Sequence, residues 1–196
     1  GAGGRAYHIT APSNALFGLH EALRLTLIEG LENRFARHKM HSEAIMAGLA
    51  TLNLEPFAQE GHRLWQINAV KVPDGIDDLA VRTRLLREYN IEIGAGLGPV
   101  KGQIWRIGVM GYSANRSNIL LVLSALEDIL ADQGIKVSRG AAGEAAQGVY
   151  HAYDGAATQH QNGFHANGHT NGHSAEKLVG EAIPAENAAQ GVAHRD

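Results

Sequence analysis

The chain has 196 residues, of which 44% are hydrophobic and 19% charged, with no cysteine and a formal net charge of −3. That length suits one ordinary domain, or a smaller domain with a tail, and the missing cysteines exclude a disulfide framework and thiolate metal sites. Neither half is basic enough for a phosphate-backbone footprint and no apolar run reaches membrane-spanning length, so the composition argues against nucleic acid and membrane and places the chain in a reducing cytoplasm.

The composition divides near Arg139. Up to that residue 15 basic side chains face 14 acidic ones among aliphatic runs and turns; after it there are 2 basic and 6 acidic, and Ala, Gly, His, Gln and Asn dominate. Gly1 stands where an initiator methionine is expected, which reads as a fragment or a processed product.

In chain order, residues 10–14 offer capping side chains with Pro12 near a first helical turn. Leu16, Leu19, Leu23 and Leu27 then recur at helical steps, and Gly30 interrupts or kinks the helix. A second register runs through Leu31, Phe35, His38, Ser42, Ile45, Leu49 and Leu52. His38 and His41 accompany it without a carboxylate-rich metal spacing, so they are expected to be solvated or quietly packed. Residues 64–72 read as a strand ended by the Pro73-Asp74-Gly75 turn. Asp77 is placed to cap a helix with apolar positions Val81, Leu85, Leu86 and Tyr89, which Asn90 closes in a left-handed conformation.

Residues 91–93 form a brief expected strand. It enters the bend Gly94-Ala95-Gly96-Leu97-Gly98-Pro99, where glycine permits positive φ and close backbone approach. A further strand follows with Ile104, Arg106, Gly108 and Met110 on one face and Trp105, Ile107 and Val109 on the other. A mid-strand arginine is costly to bury unless an anion meets its planar fork. Spacing leaves three roles open for it: an anion-binding ligand contact, an edge arginine reaching water, or an ion pair with an internal acid such as Glu92. The last regular helix runs from near Asn115 to Ala131 with stripe Ile119, Val122/Leu123, Leu126 and Leu130, and Gly134 ends it.

This order predicts an α/β (α+β) two-layer domain, a small mixed sheet covered on one side by helices, with its ordered core in residues 5–135. Beyond it, residues 140–150 support only a marginal helix by alanine content, and the rest has the composition of a disordered tail. His165, His169 and His173 stand four apart and on a helix would align three imidazoles for a divalent metal. The intervening Asn-Gly pairs argue against that helix, so no metal site is assigned.

Three motifs carry a resemblance: Tyr7-His8-Ile9-Thr10-Ala11-Pro12, Glu92-Ile93-Gly94-Ala95-Gly96-Leu97-Gly98-Pro99, and Trp105-Arg106-Ile107-Gly108-Val109-Met110-Gly111. In order and spacing, over roughly residues 5–130, the chain resembles the C-terminal part of class V, fold-type I pyridoxal-phosphate aminotransferases of the alanine–, serine– and ureidoglycine–glyoxylate group. The Ala-Arg-His-Lys run at 36–39 and the Ala-rich segment ending at Tyr150 lean towards the ureidoglycine branch. The resemblance implies that residues 1–30 link from a large domain, 31–135 form the small C-terminal domain, and 136–196 are a low-complexity tail. It implies pyridoxal 5'-phosphate as cofactor, small amino acids and 2-oxo acids as substrates, and a homodimer.

By the same resemblance Tyr7 and Thr10 contact the cofactor phosphate of a neighbouring subunit, and Ile9 replaces a histidine of the family motif. Arg106 holds the substrate α-carboxylate, and Gly94, Gly96 and Gly98 belong to the active-site loop. The lysine that forms a Schiff base with the cofactor lies upstream in the family, and none of Lys39, Lys71, Lys101, Lys136 and Lys177 occupies a matching context. No catalytic residue is therefore assigned, and the chain alone is expected to be inactive. The amino donor stays open. The competing reading is a truncated or split module that binds a partner chain or a small carboxylate without turnover.

Overall fold

The computed structural model describes residues 10–166, with side chains through residue 155. Residues 1–158 make one compact unit and 159–196 a second; the elements below belong to the first except for the end of the last helix. In order they are α1 (Ser13–Glu29), α2 (Leu31–Thr51), β1 (Ile67–Lys71), α3 (Asp78–Tyr89), β2 (Gly94–Ala95), β3 (Ile104–Gly108), α4 (Arg116–Asp132) and α5 (Ala141–Ala166). Short 3-10 turns occupy Gly98–Val100 and Gly111–Ser113.

The expected two-layer α/β architecture is present, but the three strands form an antiparallel sheet in the order β1-β3-β2 rather than a mixed one. Helix α3 carries the chain from β1 to β2, which run parallel to each other. A gap stays between them, and β3 returns through the glycine bend to fill it antiparallel to both. This is a split βαβ arrangement, and the tight return after β2 dictates its strand directions. β2 also lies later than expected. The Ile91 N–H still closes α3 by donating to Leu85 O (3.0 Å), so pairing starts at Gly94, opposite Arg106.

The inner face of the sheet holds Asn68, Val70, Trp105, Ile107 and Val109, all buried. Against it lie the stripes of α2 (Ile45, Leu49), α3 (Val81, Leu85) and α4 (Ile119, Val122, Leu123, Leu126, Leu130), as the periodicity predicts; Leu86 alone of the α3 positions is exposed. The cap expected at Asp77 is present, and Asn115 supplies a second one that was not expected. Asp77 accepts from Ala80 N–H (3.0 Å), and Asn115 accepts from Asn118 N–H (2.9 Å). Asn90 takes φ 55° and closes α3. Trp105 Nε1 donates to Asp78 (2.8 Å), which also holds Arg82, tying β3 to the start of α3. Within the core Ser42 donates to Asn68 Oδ1 (2.7 Å), while Asn68 Nδ2 finds no acceptor among the described residues.

Three expectations are decided or corrected by the structure. First, α1 forms but has no side-chain cap and buries no residue, so Leu16, Leu19, Leu23 and Leu27 stay exposed. Its contacts are with α2, and a leucine stripe sinks only where a second surface meets it.

Second, of the two states expected for His38 and His41, solvated or quietly packed, the packed one holds, each being 4% exposed. His38 Nδ1 lies 2.6 Å from Arg34 O, an acceptor only, so that nitrogen carries the proton and Nε2 accepts from Gly111 N–H (3.2 Å). His41 Nδ1 and the Tyr150 hydroxyl share a 2.8 Å hydrogen bond.

Third, residues 141–166 form one long helix where only a marginal one was expected, and Ala142, Ala146 and Tyr150 belong to the core. Glu127, from α4, caps α5 by accepting from the N–H groups of Gly140 and Ala142 (both 2.8 Å). Arg116 stacks 4.4 Å above the Tyr150 ring and pairs with Asp154. Tyr153 donates to Glu43 (2.7 Å). Alanine spacing alone does not reveal a helix whose partners lie on two distant elements. His165 falls in the last turn of α5, while His169, His173 and Lys177 lie outside the described residues. No described helix is long and apolar enough to cross a membrane.

Candidate functional site

Arg106 occupies the middle of β3, between Ala69 of β1 and Gly94 of β2 in register. Its face is the opposite one from Trp105 and Ile107, and Ile67, Gly108 and Met110 on that side remain exposed. The guanidinium is therefore half-buried between two of the smallest residues, on the open side of the sheet. Its Nε donates to Ala95 O (2.8 Å), which fixes the plane of the fork. The four Nη hydrogens meet no acceptor among the described residues, and no carboxylate pairs with the group; Glu92, the internal acid weighed above, does not reach it. A charged fork held by one bond and otherwise open suits a planar carboxylate, which takes two parallel N–H bonds.

Each glycine of the bend has its own steric reason. A Cβ on Gly94 would stand 3.2 Å from Arg106 Nη2, so this glycine makes room for the guanidinium. One on Gly96 would stand 1.9 Å from Val100 O, where the chain folds back into the 3-10 turn. Gly98 adopts φ +53°, which side chains rarely tolerate. Gly96 N–H donates to Ile104 O (3.0 Å), anchoring the bend to β3 and covering Ile104, which is 4% exposed. The bend thus acts as one wall and a backstop for Arg106.

The other expected contacts lie elsewhere. Thr10 is exposed, three residues before α1, and the first turn of that helix has no side-chain cap. Its hydroxyl is a donor of the kind a phosphate takes, and of the first-turn N–H groups that of Ser13 is already given to Ala11 O (2.9 Å). Tyr7 lies outside the described residues. Lys39, Lys71, Lys101 and Lys136 are all exposed, whereas a nucleophilic lysine needs desolvation or a neighbouring charge to shed its proton. Among the described residues Arg106 offers a fork suited to a carboxylate, Thr10 an exposed hydroxyl, and no lysine is buried.

Sequence reasoning missed the support beneath Arg106. After β3 the chain turns at Gly111, whose N–H goes to His38 and whose carbonyl accepts from Arg37 Nη1 (3.0 Å). The position of His38 in the apolar register of α2 was the available signal, since a polar residue on a buried stripe must find partners.

No protein-family model matches the chain. Among curated proteins it is 41% identical to the (S)-ureidoglycine–glyoxylate transaminase of Bacillus subtilis (strain 168) over 146 residues, covering 74% of this chain and 35% of that protein. It is 38% identical over 135 residues to the alanine–glyoxylate aminotransferase of Drosophila melanogaster, covering 67% of this chain and 34% of that one. Among solved structures, the ureidoglycine–glyoxylate aminotransferase from Bacillus subtilis matches with a TM-score of 0.71 at 41% identity, over 74% of this chain and 37% of that one. The chain spans about a third of the length of the curated relatives it matches.

Proposed function

As the chain belongs to the class V glyoxylate aminotransferases, we propose that it carries the carboxylate clamp of a transaminase that turns glyoxylate into glycine. The net reaction moves an amino group from a small amino acid (alanine, serine or ureidoglycine) to glyoxylate and leaves the donor's 2-oxo acid. Pyridoxal phosphate, when bound, supplies the electron sink for this exchange. The single observation that carries the reading is the fork of Arg106, without a carboxylate partner among the described residues, fixed at Nε by Ala95 O and seated over Gly94.

Arg106 receives the α-carboxylate of donor and acceptor in turn. Both substrates share that group, so one clamp serves both halves of the reaction. Holding it from two nitrogens removes rotational freedom at the neighbouring carbon, which favours the reactive geometry over free encounter. The bend of Gly94, Gly96 and Gly98 keeps the fork aimed and the approach uncluttered. Thr10, with Tyr7, donates to the cofactor phosphate of a neighbouring subunit in a homodimer, a cytoplasmic enzyme in this reading. The lysine of the reaction comes from a region outside this sequence, and the chain alone is inactive.

The test is Arg106→Lys in the complete aminotransferase. An ammonium retains the charge but not the fork, so the KM for both glyoxylate and the amino donor should rise about 10- to 100-fold. Unchanged KM values for both would remove Arg106 from the substrate site.

A further inference from the structure

Arg37 takes no part in the site as read from the sequence, yet it bonds in two directions at once. Its Nε and Nη2 grip the two oxygens of Glu29, and its Nη1 donates to Gly111 O (3.0 Å) and Ala114 O (2.9 Å). Glu29 is the last residue of α1, and Arg34 also bonds it (2.9 Å). Gly111 and Ala114 bracket the turn that follows β3, the strand of Arg106.

We propose that Arg37 is a positioning residue that ties the end of α1 to the turn following the strand that carries Arg106, and so holds the substrate-carboxylate fork in place. This rests on the function proposed above. The physical route is short. The chain breaks between α1 and α2 at Gly30, where φ is +80°. Since α1 buries no residue, its direction depends on Gly30 and on the Glu29 bracket. At the other end Gly111, at φ +60°, is held on both sides of its own residue: its N–H by His38 and its carbonyl by Arg37. Consecutive residues of α2 therefore clamp the turn five positions beyond Arg106. Only an arginine serves at position 37, because four bonds directed at a carboxylate on one side and two carbonyls on the other require the planar fork. A lysine ammonium reaches one of these partners at a time.

A strut that merely stabilises the fold and a residue that positions Arg106 differ in one readout, the double-mutant cycle on KM. In the complete aminotransferase, Arg37→Met should raise the KM for glyoxylate about tenfold, since small misplacements of an orienting group are costly. Because Arg37 acts through Arg106, that increase should vanish in the Arg106→Lys background. Glu29→Gln, which loosens the bracket and leaves Arg37 in place, should show the same dependence on Arg106 and serves if Arg37→Met fails to fold. An increase that persists undiminished in the Arg106→Lys enzyme, or no increase in either single variant, overturns the coupling while leaving the clamp intact. If Arg106→Lys alone leaves KM unchanged, the clamp fails first and the coupling with it.

Discussion

Two buried histidines three residues apart on α2 behave differently because of what each faces. His38 bridges two backbone groups, Arg34 O and Gly111 N–H, and so holds the turn after β3. His41 faces Tyr150 instead, and burial, reinforced by the charges of Arg37 and Arg116, lowers its pKa to about 4. Unfolded, the same imidazole titrates near 6.5. As pH falls, the unfolded chain takes up this proton first, so stability declines from about pH 6.5 and levels off for this group near pH 4. The full loss amounts to about 3 kcal/mol. Urea midpoints measured from pH 7.5 to 4.5 should show this decline, and His41→Phe should flatten it. A variant with the slope of the parent would assign the acid sensitivity to other groups.

Among the elements, the seam of α2, α4 and α5 shows how tightly one position decides an approach. A Cβ on Gly48 would stand 2.4 Å from Leu123 Cδ1 and 2.8 Å from Ala142 O. The leucine tip can rotate away, but the carbonyl belongs to the first turn of α5, which Glu127 pins. Alanine gains about 1 kcal/mol of helix propensity over glycine, and the overpacking it causes here costs about 1–3 kcal/mol. Gly48→Ala should therefore destabilise the chain despite its propensity, as a lower urea midpoint with an unchanged m-value. A stabilised variant would mean that α5 sits more loosely on α2 than its buried residues indicate. The same logic explains α1 in reverse: its leucines are correctly spaced, yet no described surface covers them.

For the whole molecule, the ordered unit does not end where the composition changes. Charge and residue type shift after Arg139, but the core continues into Ala142, Ala146 and Tyr150. A chain ending at Arg139 loses the Tyr150 hydroxyl from His41, strips Glu127 of its two donors, and uncovers the α2–α4 seam. Removing one large buried aromatic side chain alone costs about 3–5 kcal/mol, so this truncation should lower the melting temperature markedly or leave the chain unfolded. Circular dichroism melts of both lengths check it, and equal melting would return α5 to the status of an appendage.

The sequence by itself determined whatever depends on neighbours a few residues away. Helical stripes on α2, α3 and α4 follow from 3.6-residue spacing, the cap at Asp77 from local side-chain reach, and the left-handed Asn90 from its tolerance of positive φ. The two faces of β3, with Arg106 opposite Trp105, follow from strand alternation. Only the tertiary structure decided matters that turn on groups far apart in the chain. It set β2 at Gly94 because Ile91 was already engaged by α3. It left the Arg106 fork open because no acid among the described residues reaches it, and placed two histidines and an arginine of α2 as supports for distant residues. It also turned an alanine-rich segment into core. Apart from the start of β2, which follows from Ile91 bonding Leu85 six residues back, these hang on partners far along the chain or on which surface covers a face, and periodicity carries no record of either.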